Sequence, residues 1–258
     1  MVDERISHNC EIALERCGFK VIKLPPEQRL PTAVASHTDM LIFRHNYTLI
    51  VSHSYAENNS ELIESIKNSD SRVKVILSSD SHGGAYPEDA IFNCLTIGNK
   101  LFGRTNSISD TVKSYAKNAG LELIHVKQGY PACTTLALPC GLAVTGDVGM
   151  ARALAREGIE VVTISQSEKI HLPPYQFGFI GGTAGVYGGA VYFLGNLAAH
   201  PEGDIIEEEI TKRGYNCISL DPSADSLSDL GGIFLFGSAE NNTAVTGSNI
   251  SPSTPKSE

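Results

Sequence analysis

One pattern of apolar and polar positions returns along the chain: a short amphipathic helix, a Gly stop and an aliphatic strand. It reads as a helix over 13–18 with a strand over 19–24, and again over 114–120 with 121–126. It returns over 153–158 with 159–164 and over 209–214 with 215–220. The closing residues Gly18, Gly120, Gly158 and Gly214 supply the left-handed conformation that ends a helix, and the residues after each stop run or alternate apolar, as strands do. Gly18 and Gly120 lie about two periods apart, which predicts a copy between them. Asn59–Lys67 reads as a helix opened by an Asn cap, the stretch 68–71 replaces the Gly stop, and Val73–Leu77 is the strand. Five copies at periods of roughly 40–55 residues fall in the range of stacked or closed repeat folds.

A polar or Gly/Pro-rich loop comes after each strand, and then further strands: 40–43 and 48–51, 90–97 and 101–102, 135–138 and 142–145, 177–180 and 190–194, and 233–236. No copy can bury both its sheet face and its helix alone, so the five are expected to pack on one another. A generic doubly wound α/β domain with coincident glycines is the competing reading. From Ser238 the hydrophobic period stops. Residues 238–258 hold too little apolar area to offset ordering entropy, so a single folded domain over 1–237 with a disordered tail is expected.

Composition narrows the function classes. The 258 residues are 41% hydrophobic and 19% charged, enough for a sizeable core. Lys and Arg total 20 against 29 Asp and Glu, a formal charge of -9, which disfavours nucleic acid and anionic membranes. No apolar run approaches the roughly 18–20 residues that span a bilayer, and the first residues do not read as an export leader. A cytoplasmic protein is expected, and a homo-oligomer is compatible with it. The six cysteines form no C-x-x-C pair, so a thiolate metal site has little support and buried or semi-buried free thiols are the default.

Several stretches resemble a known family. The five ββαβ-like units, the start Ser36-His37-Thr38-Asp39-Met40, and the segments 128–133, 177–182 and 229–232 resemble the pentein, or guanidino-modifying, enzymes. Within that superfamily they look like a bacterial family to which no reaction is attached. The resemblance covers about residues 6–237. It implies a five-bladed α/β propeller with pseudo-fivefold symmetry, whose loop-to-strand junctions point into a central funnel. It would place His37 and Asp39 at the first junction, and Glu88, Asp89 and Asn93 at the second. Gln128, Tyr130 and Cys133 fall at the third, Thr183 at the fourth, and Ser228 and Asp229 at the last. The family's usual nucleophile is a final-blade cysteine, and this chain has no cysteine after Cys217. Cys94 superficially resembles the nucleophile segment but reads as a buried strand thiol, which leaves Cys133 as the better-placed candidate.

On that alignment Cys133 is the candidate nucleophile, its pKa lowered by His37 or Lys127. His37 and Asp39, two apart on a strand, would share a face as a general base and its orienting carboxylate. Asp89 and Asp229, with Gln128 and Asn93, would bind a cationic guanidinium or amine. Each has a plainer reading: turn-capping carboxylates, a capping imidazole, a half-buried inert thiol. The run Gly178–Gly189 lacks a phosphate-loop ending and reads as close backbone approach. His171 and His200 look like surface loop residues, and His82 like a turn residue able to cover the funnel. No spacing argues for a metal, and no cofactor is implied. Two classes remain: a hydrolase or amidinotransferase working on a guanidino, amidino or related C–N bond through a covalent thioimidate, or a non-catalytic propeller that binds a small molecule or a protein, as ribosome anti-association factors of this fold do.

Overall fold

Four β-hairpins carry the architecture of the computed structural model, which describes residues 1–237. They are Ile42–His45 with Thr48–Ser52, Leu95–Ile97 with Lys100–Gly103, Thr135–Ala137 with Leu142–Thr145, and Ala184–Tyr187 with Ala190–Phe193. The second strand of each hairpin runs into a helix: Ser60–Lys67 (after a short helix, His53–Asn58), Asp110–Asn118, Val148–Arg156 or Gly203–Thr211. That same strand then pairs in parallel with the strand beyond the helix: Lys74–Ser78, Glu122–His125, Glu160–Thr163 or Asn216–Ser219. Parallel neighbours need such a crossover, whereas antiparallel ones need only a tight turn. Each hairpin therefore belongs with the helix after it, half a period later than the sequence grouping places it.

The helix ends obey local chemistry. Ser109 accepts hydrogen bonds from the amides of Thr111 and Val112, and the Asp147 carboxylate accepts one from Met150, both as N-caps. Gly18, Gly120, Gly158 and Gly214 all take positive φ, 71–87°, at the helix stops.

Three expected strand starts are corrected. A single helical turn precedes each hairpin instead: Thr38–Leu41, Glu88–Ala90, Pro131–Thr134 and Gly181–Thr183. Residues 40–41 and 90–94 thus lie outside the strands, and the strand expected over 177–180 is a loop, with Ala184–Tyr187 as the true partner of Ala190–Phe193. Apolar runs of four cannot by themselves separate a buried turn from a buried strand.

The apolar clusters join consecutive units. Phe43 and Ile50 pack with Val112 and Ala116; Leu95 and Ile97 with Met150 and Leu154; Leu136 and Val144 with Ile206 and Ile210. The N-terminal segment fills the remaining gap. Val2–Asp3 pairs in parallel with Lys23–Leu24 across the helix His8–Arg16. Its Val2 and Leu14 pack on Tyr192 and Leu194, and its Ile22 and Leu24 on Met40 and Ile63. The two ends of the described chain meet there: Met1 N donates to Phe234 O at 2.7 Å, and Phe234 N to Met1 O at 3.0 Å. The fold is mixed α/β, as expected; each sheet has only two or three strands and none closes on itself. The expected tail, 238–258, lies outside the described residues. No helix among the described residues is long and apolar enough to cross a membrane.

Candidate active site

The single turns before the hairpins set the site. Pro131 opens the turn that carries Cys133, while His37 caps the turn that carries Asp39. Asp39 is therefore not on a strand beside His37. Its backbone N donates to Gly231 O at 3.1 Å, which ties the first junction to the last. The thiol of Cys133 donates to Asp39 Oδ2 at 2.7 Å, and Asn93 Nδ2 donates to the same sulfur at 3.2 Å. Asn93 is itself fixed, since its Oδ1 accepts from Ala132 N at 2.9 Å. One nitrogen of His37, one oxygen of Asp39 and the sulfur of Cys133 all lie within 4.8 Å of one another. His37 Nδ1 stands 3.9 Å from Asp229 Oδ1, and Asp229 accepts from the amides of Phe179 and Gly231.

Glycine makes this crowding feasible. A side chain at Gly181 would strike the carbonyl oxygens of Ala132, Cys133 and Thr135, and one at Gly182 would fall on the Asp229 carboxylate. The Gly-rich run thus works by close backbone approach, as its sequence suggests.

Burial governs the protonation states. His37 is 0% and Cys133 4% exposed. Desolvation holds the His37 imidazole down at about 4, from 6.5, and outweighs the upward pull of Asp3 and Asp229. Desolvation first, and then the Asp39 charge, push the Cys133 thiol well above its ordinary value of 9.0. The resting pair is a neutral imidazole and a thiol, so the expected lowering of Cys133 by His37 or Lys127 is corrected. Burial also lifts Asp39 to about 8 and Asp229 to about 7. Both His37 nitrogens and Asp39 Oδ1 are buried without a hydrogen-bond partner. A buried polar group without a partner costs free energy, which sets these atoms apart from the satisfied Asp229 carboxylate beside them. The imidazole, carboxylate and thiol are also donor types that could hold a metal ion.

His37, Cys133 and Asp229 form the polar floor of a cavity of about 590 Å³ that Asp89 and Gln128 also line, and Asp39 meets it through its hydrogen bond with the thiol. Asp89 accepts from the Tyr130 hydroxyl at 2.7 Å through Oδ2, while its Oδ1 has no partner. The structure brings all seven candidates to the cavity or to the thiol. Gln128 lines the wall, but its amide is spent on Asp147 Oδ2 (2.7 Å) and on Tyr130 N (3.1 Å), which makes it a brace. Other expectations fail. His82 is buried behind the site, bonded to Met40 O at 2.8 Å, and does not cover the cavity. His200 is buried, and Cys17 and Cys140 are exposed. Sequence reasoning missed the aromatic mouth of Tyr86 and Tyr175, because isolated loop tyrosines carry no spacing signal.

The fold is similar to that of dimethylarginine dimethylaminohydrolase in an adduct with 4-chloro-2-hydroxymethylpyridine. The two share 15% identity over 84% of this chain and 82% of that one, with a TM-score of 0.51. It is also similar to a mutant of the same enzyme from Pseudomonas aeruginosa complexed with citrulline, at 14% identity, 85% and 83% coverage and a TM-score of 0.52. At such identities the likeness is one of fold. The chain belongs to DUF6873, a family of unknown function, which it matches over residues 1–234. No protein of curated function matches it.

Proposed function

We propose that this protein is a guanidino-modifying enzyme, a hydrolase of a guanidine or amidine C–N bond with Cys133 as nucleophile. The observation that carries the reading is the convergence of the Cys133 sulfur, an Asp39 oxygen and a His37 nitrogen within 4.8 Å, where His37 and Cys133 line the cavity. The ring of core clusters supports a five-bladed propeller, and the likeness to dimethylarginine dimethylaminohydrolase supports a pentein fold.

A guanidinium entering the floor brings a positive charge beside Asp39, Asp89 and Asp229. That charge favours the ionised form of Asp39 and of the thiol. Cys133 Sγ then adds to the central guanidino carbon, and its proton passes to Asp39, its hydrogen-bonded partner. The adduct expels one nitrogen as an amine, which takes up a proton, and leaves a thioimidate. His37 is neutral and free at both nitrogens, so it can take a proton from water as that water adds to the same carbon. The C–S bond breaks and the thiol is restored. The sum is guanidinium plus water giving a urea plus an ammonium ion. Capture of the thioimidate by an amine instead of water would make the protein an amidinotransferase.

A second reading, a binding module for a small cation, draws on the strongly raised Cys133 thiol. Turnover decides between them. A panel of guanidines and amidines assayed for ureido or amide product should yield a substrate whose conversion Cys133→Ala abolishes. Tight binding with no turnover of any member would favour the binding module.

A further inference from the structure

The walls above the floor say what the rest of the ligand looks like. His37, Cys133 and Asp229 lie together, with His37 Nδ1 3.9 Å from Asp229 Oδ1, and Asp89 is the other acidic side chain of the lining, bonded to the Tyr130 hydroxyl. The remainder is apolar or aromatic, as in Pro31, Val34, Leu172, Phe177 and Phe179 with the tyrosines, apart from Gln128 and Gln176, whose amide nitrogens already donate to Asp147 and Glu168. Tyr86 and Tyr175 are 47% and 56% exposed, and the Tyr86 ring lies 5.5 Å from that of Tyr130. Among the described residues, no Lys or Arg lines the cavity. The nearby Arg104 lies over the Tyr86 ring, 5.0 Å from its centroid, and donates to the Tyr86 hydroxyl and to Lys127 O. Arg104 itself is not among the lining residues.

Resting on the function proposed above, we infer that the ligand is a guanidine or amidine with an uncharged apolar tail, alkyl or aryl, rather than one ending in a carboxylate. A cationic head at the floor meets carboxylates that complement planar N–H donors. An anionic tail would be desolvated against aromatic carbon with no cation to pair it, and it would enter a protein of net charge -9. An apolar tail gains instead, at about fourfold in affinity for each methylene fully buried. The volume of about 590 Å³ leaves room for such a tail beyond the head.

The test compares n-hexylguanidine with 6-guanidinohexanoic acid, which differ at the tail end, by calorimetric binding to the full-length protein and by turnover. Hexylguanidine should bind at least tenfold more tightly and show the higher kcat/KM. Tyr175→Ala, a change at an exposed side chain, should weaken hexylguanidine severalfold and leave methylguanidine unchanged. Equal or tighter binding of the carboxylate-tailed compound, or no binding of either, overturns the inference. Preferential binding of hexylguanidine without turnover would support it while removing the hydrolase reading, so the two claims fail separately.

Discussion

Cys133 and Asp39, 94 residues apart, share a hydrogen bond of 2.7 Å inside the protein. Neither side chain is more than 4% exposed. Burial makes both groups harder to ionise, and Asp39 raises the thiol further, whereas the hydrogen bond from the thiol favours the Asp39 carboxylate without overcoming its burial.

Stability depends on pH as a result. Asp39 rises from 3.8 to about 8 and Asp229 to about 7, so the native state keeps protons that the unfolded chain has released. Stability is therefore lost progressively as pH rises from about 4, and the loss levels off once pH passes the folded values of about 7 and about 8. His37, lowered from 6.5 to about 4, has the opposite sign but acts only below about pH 6.5. Between pH 6.5 and 8.5 the melting temperature should fall, and Asp39→Asn should flatten the decline. The effect has an upper bound of about 1.4 kcal/mol per pH unit for one proton. An unchanged slope in the variant would contradict the raised Asp39.

Asn93 is a positioning residue for the sulfur. Asn93→Ala removes the bond to Sγ and leaves the Ala132 amide without its acceptor, at a cost of about 1–3 kcal/mol in stability. Alkylation of Cys133 should change in rate well beyond what the loss of stability explains, and Asn93→Asp should restore the acceptor for Ala132 N without restoring the donor to sulfur. Wild-type reactivity in both variants would remove Asn93 from the site.

Much of the fold and site is legible in the sequence, for reasons that differ by residue. The helix stops at Gly18, Gly120, Gly158 and Gly214 are readable because positive φ selects glycine. The resemblance implies the placement of His37, Asp39, Asp89, Cys133 and Asp229 at loop-to-strand junctions, and Asp39, Asp89 and Cys133 do lie in the single turns before three hairpins, whereas Asp229 follows the short strand Leu227–Ser228. Their protonation states are not legible, because desolvation depends on packing from segments far away in the chain. Asp229 reads as a lone turn carboxylate until Phe179 and Gly231 are seen donating to it. The one-turn helices at the junctions are hidden, since Met40-Leu-Ile-Phe43 is as apolar as any strand.

Gly182 gives a sharper structural test. Gly182→Ala would press a methyl group into the Asp229 carboxylate, which the surrounding amides hold in place. Overpacking of this kind costs about 1–3 kcal/mol and should displace Asp229 from His37. A variant with wild-type melting temperature and wild-type turnover would show that Asp229 is not held as described.

We also propose that residues 1–237 form the whole folded domain. A chain ending at residue 237 should melt with the full-length protein within experimental error and keep the same ligand affinity. A drop of several degrees would assign the last 21 residues a packing role.

The most direct test of the central claim uses the six cysteines as competitors. The folded protein is treated near neutral pH with a limiting amount of 2-chloroacetamidine, a cationic amidine carrying a leaving group, and the labelled peptide is identified by mass spectrometry. Cys17 and Cys140 are exposed and would react first with any unselective reagent, whereas Cys133 is buried with a raised thiol. The account predicts that Cys133 is labelled first, that neutral iodoacetamide does not share this preference, and that Asp39→Ala abolishes it. Labelling confined to Cys17 and Cys140, with Cys133 untouched, would contradict it.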